Sequence, residues 1–430
     1  MEHFLKSDKS WLKLDNAAKI YPAIQGAKDT CVFRMAANMK DAVDPVILQK
    51  ALIDLKPRFP SIYVRLRRGV FWYYFEENKK IPKVYPEGAQ INKAMDPFSN
   101  NYYLFTVLYY KNRISLEFFH SLGDGTGAIT FLKALVYRYL ELKGNKLCDE
   151  GMVCVIDQPY NELEVEDSFN KNVSKTKKTR EDVKTAYHIK AKPFSRFQSR
   201  GIINGKVSGE ALRLMARQND ATITQFMTAL LTYAIWQTYG KKIPLTKPIN
   251  IGVPVNLRKF YPSISLRNFT LFFHSSVYNT PYLTFEAILA QVKATFAGEV
   301  QLEKLQQNIN ANVMAERNIA LRMAPLYLKK IALMISGRVL GARLDTATIS
   351  NLGIVTLPES MGKHIQDFEF NLTTDAHAGY GIGVITFNDI TTISFLRSRY
   401  DTRVEQKFFS YLAEHGLKVE VETNRWEEVA

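Results

Sequence analysis

A histidine at the end of an apolar run is the residue best suited to do chemistry in this chain. In the stretch FFHSLGDGTGA, His120 follows a strand-like aromatic segment and Asp124 stands four positions later. A strand-end imidazole faces the space beyond a sheet, and its ordinary pKa of about 6.5 leaves it largely a neutral base at cellular pH. Gly123 and Gly125 permit sharp turns and a close approach of substrate to the backbone. The spacing predicts a general base for a hydroxyl or amine.

The negative charge of Asp124 favours a structural role over a role as a catalytic acid. A buried ionised carboxylate needs a partner, so we expect Asp124 to pin the loop through a buried arginine rather than to act as an acid. As metal ligands, His120 and Asp124 lack a third histidine or carboxylate at supporting spacing, so we expect no metal. The corner alone leaves one alternative open, which is an ordinary core histidine before a glycine turn.

Strands and helices on both sides of the corner are predicted from the spacing of apolar residues. Asp44 and Pro45 are typical of an N-cap and a first helical residue, so a helix is expected after them. Residues 62–74 and 104–119 each predict two strands joined by a polar turn, and residues 129–142 have helical periodicity. These elements place His120 between a hairpin and a helix.

The hairpin that ends at His120 has a counterpart near the C-terminus. LFTVLYYKNRISLEFFH, residues 104–120, aligns without a gap with GIGVITFNDITTISFLR, residues 381–397. Asp124 and Asp401 each stand four residues after their hairpin, before a helical pattern. The repeat supports two similarly built domains with one active centre and one degenerate counterpart, because the second copy lacks the histidine. A chance likeness between two hairpins is the alternative.

The domain boundaries follow from length and composition. A chain of 430 residues exceeds the size at which single cores stop growing. Between residues 161 and 200 the apolar pattern thins and acidic residues give way to basic ones. We therefore expect an N-terminal domain at 1–160, a crossover linker at 161–200 and a C-terminal domain at 201–430.

The net charge and the lengths of the apolar runs limit the possible binding partners and the cellular location. The formal net charge is +15, which suits a nucleic acid, an anionic membrane or an acidic partner. No helix-turn-helix, zinc or RNA-binding motif supports nucleic acid, so we expect none to bind. The N-terminus lacks the apolar core of a secretory signal, and no apolar run reaches the ~20 residues of a membrane span. We expect a cytoplasmic protein without a transmembrane segment.

The histidine motif is similar to a known signature. The pattern H-x-x-x-D-G, from His120 to Gly125, resembles that of the chloramphenicol acetyltransferase-like superfamily, which includes condensation domains, BAHD enzymes, wax ester synthases and alcohol acetyltransferases. Three further segments resemble motifs of the same group in the expected order. They are the arginine-containing stretch 58–66, the segments 252–258 and 266–269, and Ser350-Asn351-Leu352-Gly353.

The resemblance implies a fold and a reaction. The fold is α/β, with two acetyltransferase-like sandwich domains of mixed sheets, pseudo-duplicated, and an active-site tunnel at their interface. The reaction is transfer of an acyl group from a thioester to a hydroxyl or amine, without an acyl-enzyme. His120 is implied as the catalytic base, Arg65 as the partner of Asp124, and Ser350 and Asn351 as oxyanion or substrate-binding residues. A backbone N–H near Gly125 is a third candidate for the oxyanion donor.

Departures from the signature point to one branch. Phe119 replaces the first histidine of condensation domains, and the D-F-G-W-G motif of BAHD enzymes is absent. The chain most resembles the alcohol acetyltransferase-like branch. His274 repeats the letters FFHS without the following aspartate, so we interpret it as structural. His377 lies in a loop before the second hairpin and reaches the acceptor side only if the fold brings it there.

The implied partners are an acyl donor and a small acceptor. The donor is acyl-CoA or a phosphopantetheine thioester on an acidic carrier protein, and no cofactor is bound permanently. The acceptor is a small alcohol or amine, and a monomer is expected. Acyl length, acceptor identity and the choice between the two donors stay open. A non-catalytic binding or scaffold protein and a thioester hydrolase are the alternative functions.

Overall fold

The computed structural model describes residues 11–26, 29–88, 90–96, 98–174, 184–194, 200–336, 344–373 and 379–424. Within these ranges the strands, in chain order, are β1 (Trp11–Lys13), β2 (Val32–Met39), β3 (Val64–Arg68), β4 (Tyr73–Glu77), β5 (Val84–Pro86), β6 (Phe105–Tyr110), β7 (Arg113–Phe119), β8 (Gly201–Ser208), β9 (Ile249–Asn256), β10 (Thr270–Val277), β11 (Ala347–Ile354), β12 (Ile365–Asn371), β13 (Tyr380–Phe387), β14 (Ile390–Arg397) and β15 (Glu420–Thr423).

The helices alternate irregularly with these strands. In chain order they are α1 (Tyr21–Ile24), α2 (Pro45–Asp54), α3 (Gly125–Leu142), α4 (Ser168–Lys171), α5 (Gly209–Gln218), α6 (Ile223–Tyr239), α7 (Phe285–Glu299), α8 (Leu302–Arg317), α9 (Ile319–Met323), α10 (Leu326–Ser336), α11 (Glu359–Gly362) and α12 (Arg403–Glu414). The predicted start of α2 is confirmed, since Asp44 Oδ1 accepts a hydrogen bond of 2.8 Å from the Val46 N–H.

A five-stranded sheet in the order β12-β2-β7-β6-β5 carries the histidine motif. Strands β6 and β7 form the predicted antiparallel hairpin, with Phe105 opposite Phe118. The inner strand β2 is buried along its whole length. One face packs into the apolar core through Phe33, Met35, Ala37 and Met39, and the other holds Arg34 and Asn38 in hydrogen bonds to buried carboxylates. His120 therefore follows a strand in the interior of the sheet.

The second large sheet has seven strands, in the order β10-β9-β11-β13-β14-β8-β15. Its β13–β14 hairpin is the predicted counterpart of β6–β7, and α12 follows it as α3 follows β7. Strand β11, which carries Ser350, runs parallel to both of its neighbours. Both predicted copies of the hairpin-and-helix unit are present in the fold.

The two sheets are joined by a strand that crosses between the halves of the chain. Strand β12 comes after most of the seven-stranded sheet in sequence, yet it pairs with β2 of the five-stranded sheet from Ile365 to Asn371. A Cβ on Gly383 of β13 would lie 1.8 Å from the Phe370 carbonyl oxygen, so β12 and β13 approach so closely that only glycine fits. Lys206 of β8 adds a buried ion pair of 3.0 Å to Asp367.

Parts of the predicted linker pack against the rest of the chain. Glu164 is buried and pairs with Arg58, while Phe169 is fully buried and contacts Phe269 edge to face at 5.3 Å. Residues 175–183 and 195–199 of the predicted linker lie outside the described residues. The domain boundaries of the sequence analysis therefore stay predictions.

Candidate active site

The imidazole of His120 is held between two aromatic rings. The backbone N–H of His120 donates to the Cys31 carbonyl at 2.9 Å, which extends the pairing of β7 and β2 by one residue. The ring stacks on Tyr21 with centroids 4.5 Å apart and planes 17° apart, and Phe33 meets it at 5.1 Å and 64°. These contacts fix the plane of the imidazole.

The amide of Asn268 fixes which nitrogen of His120 carries hydrogen. Nδ1 of His120 lies 3.0 Å from Oδ1 of Asn268. The Asn268 Nδ2 donates to the His120 carbonyl at 3.0 Å and to Asp15 Oδ2 at 3.3 Å. Both of these partners accept, so the amide oxygen must be the atom that faces the ring. Nδ1 then carries the hydrogen, and Nε2 has a free lone pair.

The protonation state of His120 follows from its surroundings. Burial lowers the pKa of the imidazole below its ordinary value, against the smaller raising effects of the Asn268 hydrogen bond and the Asp124 charge. The neutral ring therefore predominates at neutral pH. Within the described part of the chain no hydrogen bond engages Nε2. A neutral imidazole with an unengaged ring nitrogen has the protonation state that general-base chemistry requires.

His120 forms part of the wall of a cavity of about 330 Å³. The start of α3, the end of β9 and strand β11 contribute further walls, so residues from both halves of the chain meet there. The size is suited to a small ligand. The other residues that line this cavity include Phe33, Thr126, Thr348, Ser350, Asn351 and Phe370.

Asp124 ties the corner to the second half of the chain. Its Oδ2 accepts hydrogen bonds from Arg258 Nη1 at 2.7 Å, the Phe269 N–H at 2.9 Å and Thr270 Oγ1 at 3.0 Å. Its Oδ1 caps α3 by accepting from the Thr126 N–H at 3.1 Å. With both oxygens satisfied and the side chain buried, Asp124 is a structural link.

The predicted partner of Asp124 was wrong. Arg65 of β3 stands directly opposite Glu76 of β4, and its Nε donates to Glu76 Oε2 at 2.6 Å. Cross-strand register therefore commits Arg65 to the β3–β4 hairpin. Arg258, in the segment 252–258 that resembles a motif of the superfamily, neutralises Asp124 instead. The expected buried arginine exists, but it comes from the other half of the chain.

The glycines of the motif serve close packing. A Cβ on Gly123 or Gly127 would lie 2.2 Å or 2.0 Å from the Leu266 carbonyl oxygen, and one on Gly125 would lie 2.6 Å from Leu352 Cδ2. None of the three has a positive φ. Gly123 and Gly127 let the segment that carries Asn268 pack against the corner, a role that the sequence analysis did not expect. Gly125 lines the cavity beside His120, in agreement with the expected approach of substrate to the backbone.

The two predicted oxyanion residues differ in their availability. Asn351 Oδ1 accepts from the Gly353 N–H at 2.9 Å, and its Nδ2 donates to Thr224 Oγ1 at 3.2 Å. The amide is therefore largely occupied at the irregular end of β11, where the register with β13 shifts. The Ser350 hydroxyl lines the cavity and has no hydrogen bond within the described ranges. Ser350 is thus the freer donor.

The other histidines and the second repeat lie away from the cavity. His274 Nε2 is 3.2 Å from Asp345 Oδ1, and His274 does not line the cavity. His377 lies outside the described residues. At the position of His120 in the second repeat, Arg397 is fully buried, 3.7 Å from Glu405. Burial raises the pKa of Glu405 to about 8.

Sequence reasoning did not assign roles to three residues of the site. Asn268 and Arg258 lie in segments whose resemblance was noted, so the motif was the available signal. Tyr21 lies in the four-residue α1, and no sequence pattern marks it. In the described ranges, no three side chains of His, Cys, Asp or Glu are grouped to hold a metal. No helix there is long and apolar enough to cross a membrane.

Comparisons with solved structures concern the fold. TRI101 of F. sporotrichioides, complexed with coenzyme A and T-2, superposes with a TM-score of 0.60 at 9% identity, over 97% of this chain and 100% of that chain. The first condensation domain of the CDA synthetase gives 0.59 at 13% identity, over 94% and 96%. Polyketide synthase associated protein 5 from Mycobacterium tuberculosis gives 0.58 at 12%, over 93% and 96%. The predicted fold, two acetyltransferase-like domains with mixed sheets, is confirmed.

Comparison of the sequence gives the family. No curated protein matches the chain significantly. A family model described as alcohol acetyltransferase matches residues 167–412, which is more than half of the 430 residues. The match and the neighbours agree on acyl transfer, and the predicted superfamily is confirmed. The chain therefore belongs to the alcohol acetyltransferase family of acyltransferases.

Proposed function

We propose that this protein transfers an acyl group from an acyl-CoA thioester to the hydroxyl of a small alcohol, with Nε2 of His120 as the general base. The observation that carries the proposal is the pair formed by His120 and Asn268. With Nδ1–H donating to the Asn268 amide oxygen, the basic lone pair of Nε2 is the one left for a substrate. A hydroxyl beside Nε2 is in position to lose its proton as it attacks.

The reaction needs no covalent enzyme intermediate. The acceptor hydroxyl gives its proton to Nε2 while its oxygen forms a bond to the thioester carbonyl carbon. The tetrahedral intermediate then collapses, the C–S bond breaks, and the imidazolium returns the proton to the departing thiolate. The Asn268 oxygen and the nearby Asp124 charge both favour the transient imidazolium.

The negative oxygen of the tetrahedral intermediate needs a donor already in place. We assign this role to the Ser350 hydroxyl, because it lines the same cavity and is not engaged elsewhere in the described residues. Asn351 then acts indirectly, since its hydrogen bonds to Gly353 and Thr224 hold the irregular end of β11 that follows Ser350.

Two observations support coenzyme A as the donor. TRI101 was crystallised with coenzyme A, and the starter condensation domain of the rhizomide synthetase with C8-CoA. A net charge of +15 favours encounter with a polyanionic donor. Within this proposal the thioester is a co-substrate, and no permanently bound cofactor is required.

The test is a screen of the purified chain with acyl-CoAs of varied length against pooled alcohols and amines. The readout is thiol release, with and without acceptor. The proposal predicts release that depends on an alcohol. Release without acceptor would indicate a hydrolase, release with amines alone would replace the acceptor class, and no release with any pair would contradict the proposal.

A further inference from the structure

We propose that Lys133 and Lys259 bind an anionic group, a carboxylate or a phosphate, on the acyl or acceptor part of the substrate. The inference deepens the proposed function and rests on it, because the two lysines line the same cavity as His120. It concerns which substrates are chosen and leaves the chemistry at His120 unchanged.

Helix α3 brings Lys133 into the cavity. Thr126, Ile129 and Lys133 recur at helical spacing and all line it, so one face of α3 forms a wall that leads away from the catalytic corner. Lys259 reaches the cavity from the turn after β9. That turn is joined to the start of α3 by a 3.2 Å hydrogen bond from Asn256 Nδ2 to Thr126 Oγ1.

Lys133 lacks the partner that a partly buried charge normally has. It forms no ion pair or hydrogen bond with any described residue, although its side chain is partly buried and burial lowers its pKa. Among the described residues, the one side chain whose charge acts on Lys133 is Cys154, a thiol whose pKa burial raises, so that it is largely uncharged. The buried carboxylates of Glu164 and Asp124 are paired with Arg58 and Arg258. A desolvated ammonium without a protein partner is poorly stabilised unless a ligand supplies the negative charge.

The position along α3 indicates which part of the substrate carries that charge. Eight residues separate Gly125 from Lys133, a rise of about 12 Å, and helical side chains lean back toward the N-terminus. The pantetheine arm has about as many backbone bonds as four amino-acid residues and spans about 13–14 Å when extended. Along the helix axis Lys133 is thus nearer to Gly125 at the catalytic corner than the arm is long. This favours an anion on the acyl or acceptor group over a coenzyme A phosphate.

The experiment compares matched substrates in wild type and in variants at Lys133 and at Lys143. Acceptors are a hydroxy acid and its methyl ester, and donors are an acyl-CoA with a terminal carboxylate and one without. Wild type should favour the carboxylate on one of the two by about tenfold or more in kcat/KM, as for one charge-assisted hydrogen bond. Lys133→Met should lose the preference and Lys133→Arg keep it. Lys143→Met, an exposed control just beyond α3, should behave as wild type.

The anion can belong to the acceptor or to the acyl group. A preference for the carboxylate within the acceptor pair indicates the acceptor, and one within the donor pair indicates the acyl group. Calorimetry measures binding without turnover. Its two probes are the deoxy analogue of the hydroxy acid and the free dicarboxylate that corresponds to the acyl group of the carboxylated donor. If either probe binds Lys133→Met more weakly than wild type, the inference is supported. If no acyl transfer is then seen with any substrate, only the proposed function fails. Transfer without any carboxylate preference, or an effect of Lys133→Met on acyl-CoA that disappears with acyl-pantetheine, would overturn the inference alone.

Discussion

Nδ1 of His120 lies 3.0 Å from Oδ1 of Asn268, a residue 148 positions later in the chain. The same amide donates to the backbone carbonyl of His120 and to Asp15. One side chain from the second half of the chain therefore sets the tautomer of His120, the proposed base, in the first half. The site is complete only when both halves are folded together.

Loss of the Asn268 amide should impair the base without removing it. Asn268→Ala leaves Nδ1–H without its acceptor, so we expect kcat to fall by about tenfold or more, as when a buried donor is left unsatisfied. The substrate KM should change little, because Asn268 does not line the cavity. Steady-state kinetics check this, and a raised KM with unchanged kcat would contradict it.

The pH dependence of transfer should follow the lowered pKa of His120. The base is active when neutral, so kcat/KM should decline as pH falls through a pKa below about 6.5. Asn268→Asp places a carboxylate at Nδ1, which stabilises the imidazolium and should move this decline to higher pH. A pH profile of both proteins checks the direction, and a shift to lower pH would be inconsistent with the assignment.

Removal of the Asp124 charge should destabilise the fold, since it leaves Arg258 buried without a counter-charge. We expect Asp124→Asn to lower the free energy of unfolding by about 3–5 kcal/mol, the range for a broken buried ion pair. The matched control is Arg65→Ala, which breaks the more exposed pair with Glu76 and should cost about 0–1 kcal/mol. Denaturant unfolding measures both, and equal losses would contradict the role given to Arg258.

The Ser350 hydroxyl should matter for rate alone. Ser350→Ala removes one oxyanion donor, which typically costs about 100- to 1,000-fold in kcat. Thermal unfolding should match wild type, because the hydroxyl has no hydrogen bond within the described residues. Wild-type kcat in this variant would transfer the role to another donor.

Two glycine substitutions should act in opposite directions. Gly127→Ala places a methyl group 2.0 Å from the Leu266 carbonyl oxygen and should destabilise by about 1–3 kcal/mol through overpacking. Gly298→Ala lies near the end of α7 with open space around the new Cβ, and should stabilise by about 0.5–1 kcal/mol. Unfolding curves give both signs, and a neutral Gly127→Ala would argue against tight packing at the corner.

The features that were predicted correctly from the sequence are those that depend on residues close together in the chain. The N-cap at Asp44 and the hairpins before His120 and Asp401 depend on local backbone preferences and on alternation, and both are present. The position of His120 in a cavity between two sheets agrees with the family resemblance. These features need little knowledge of distant contacts.

The partners of the site residues depend on contacts that local patterns do not encode. Arg65 and Arg258 are equally suited by type to neutralise Asp124, and only strand register excludes Arg65. Asn268 reaches His120 because Gly123 and Gly127 leave room for the Leu266 carbonyl, a fit between segments far apart in sequence. Such pairings require the folded chain.

The most direct test of the central claim is the rate of acyl transfer by His120→Ala, with His274→Ala as the matched control on β10. We measure thiol release from acyl-CoA in the presence of the best alcohol, after showing that both variants unfold as wild type does. The account predicts a loss of at least about a hundredfold for His120→Ala and wild-type turnover for His274→Ala. Wild-type turnover by folded His120→Ala would contradict it.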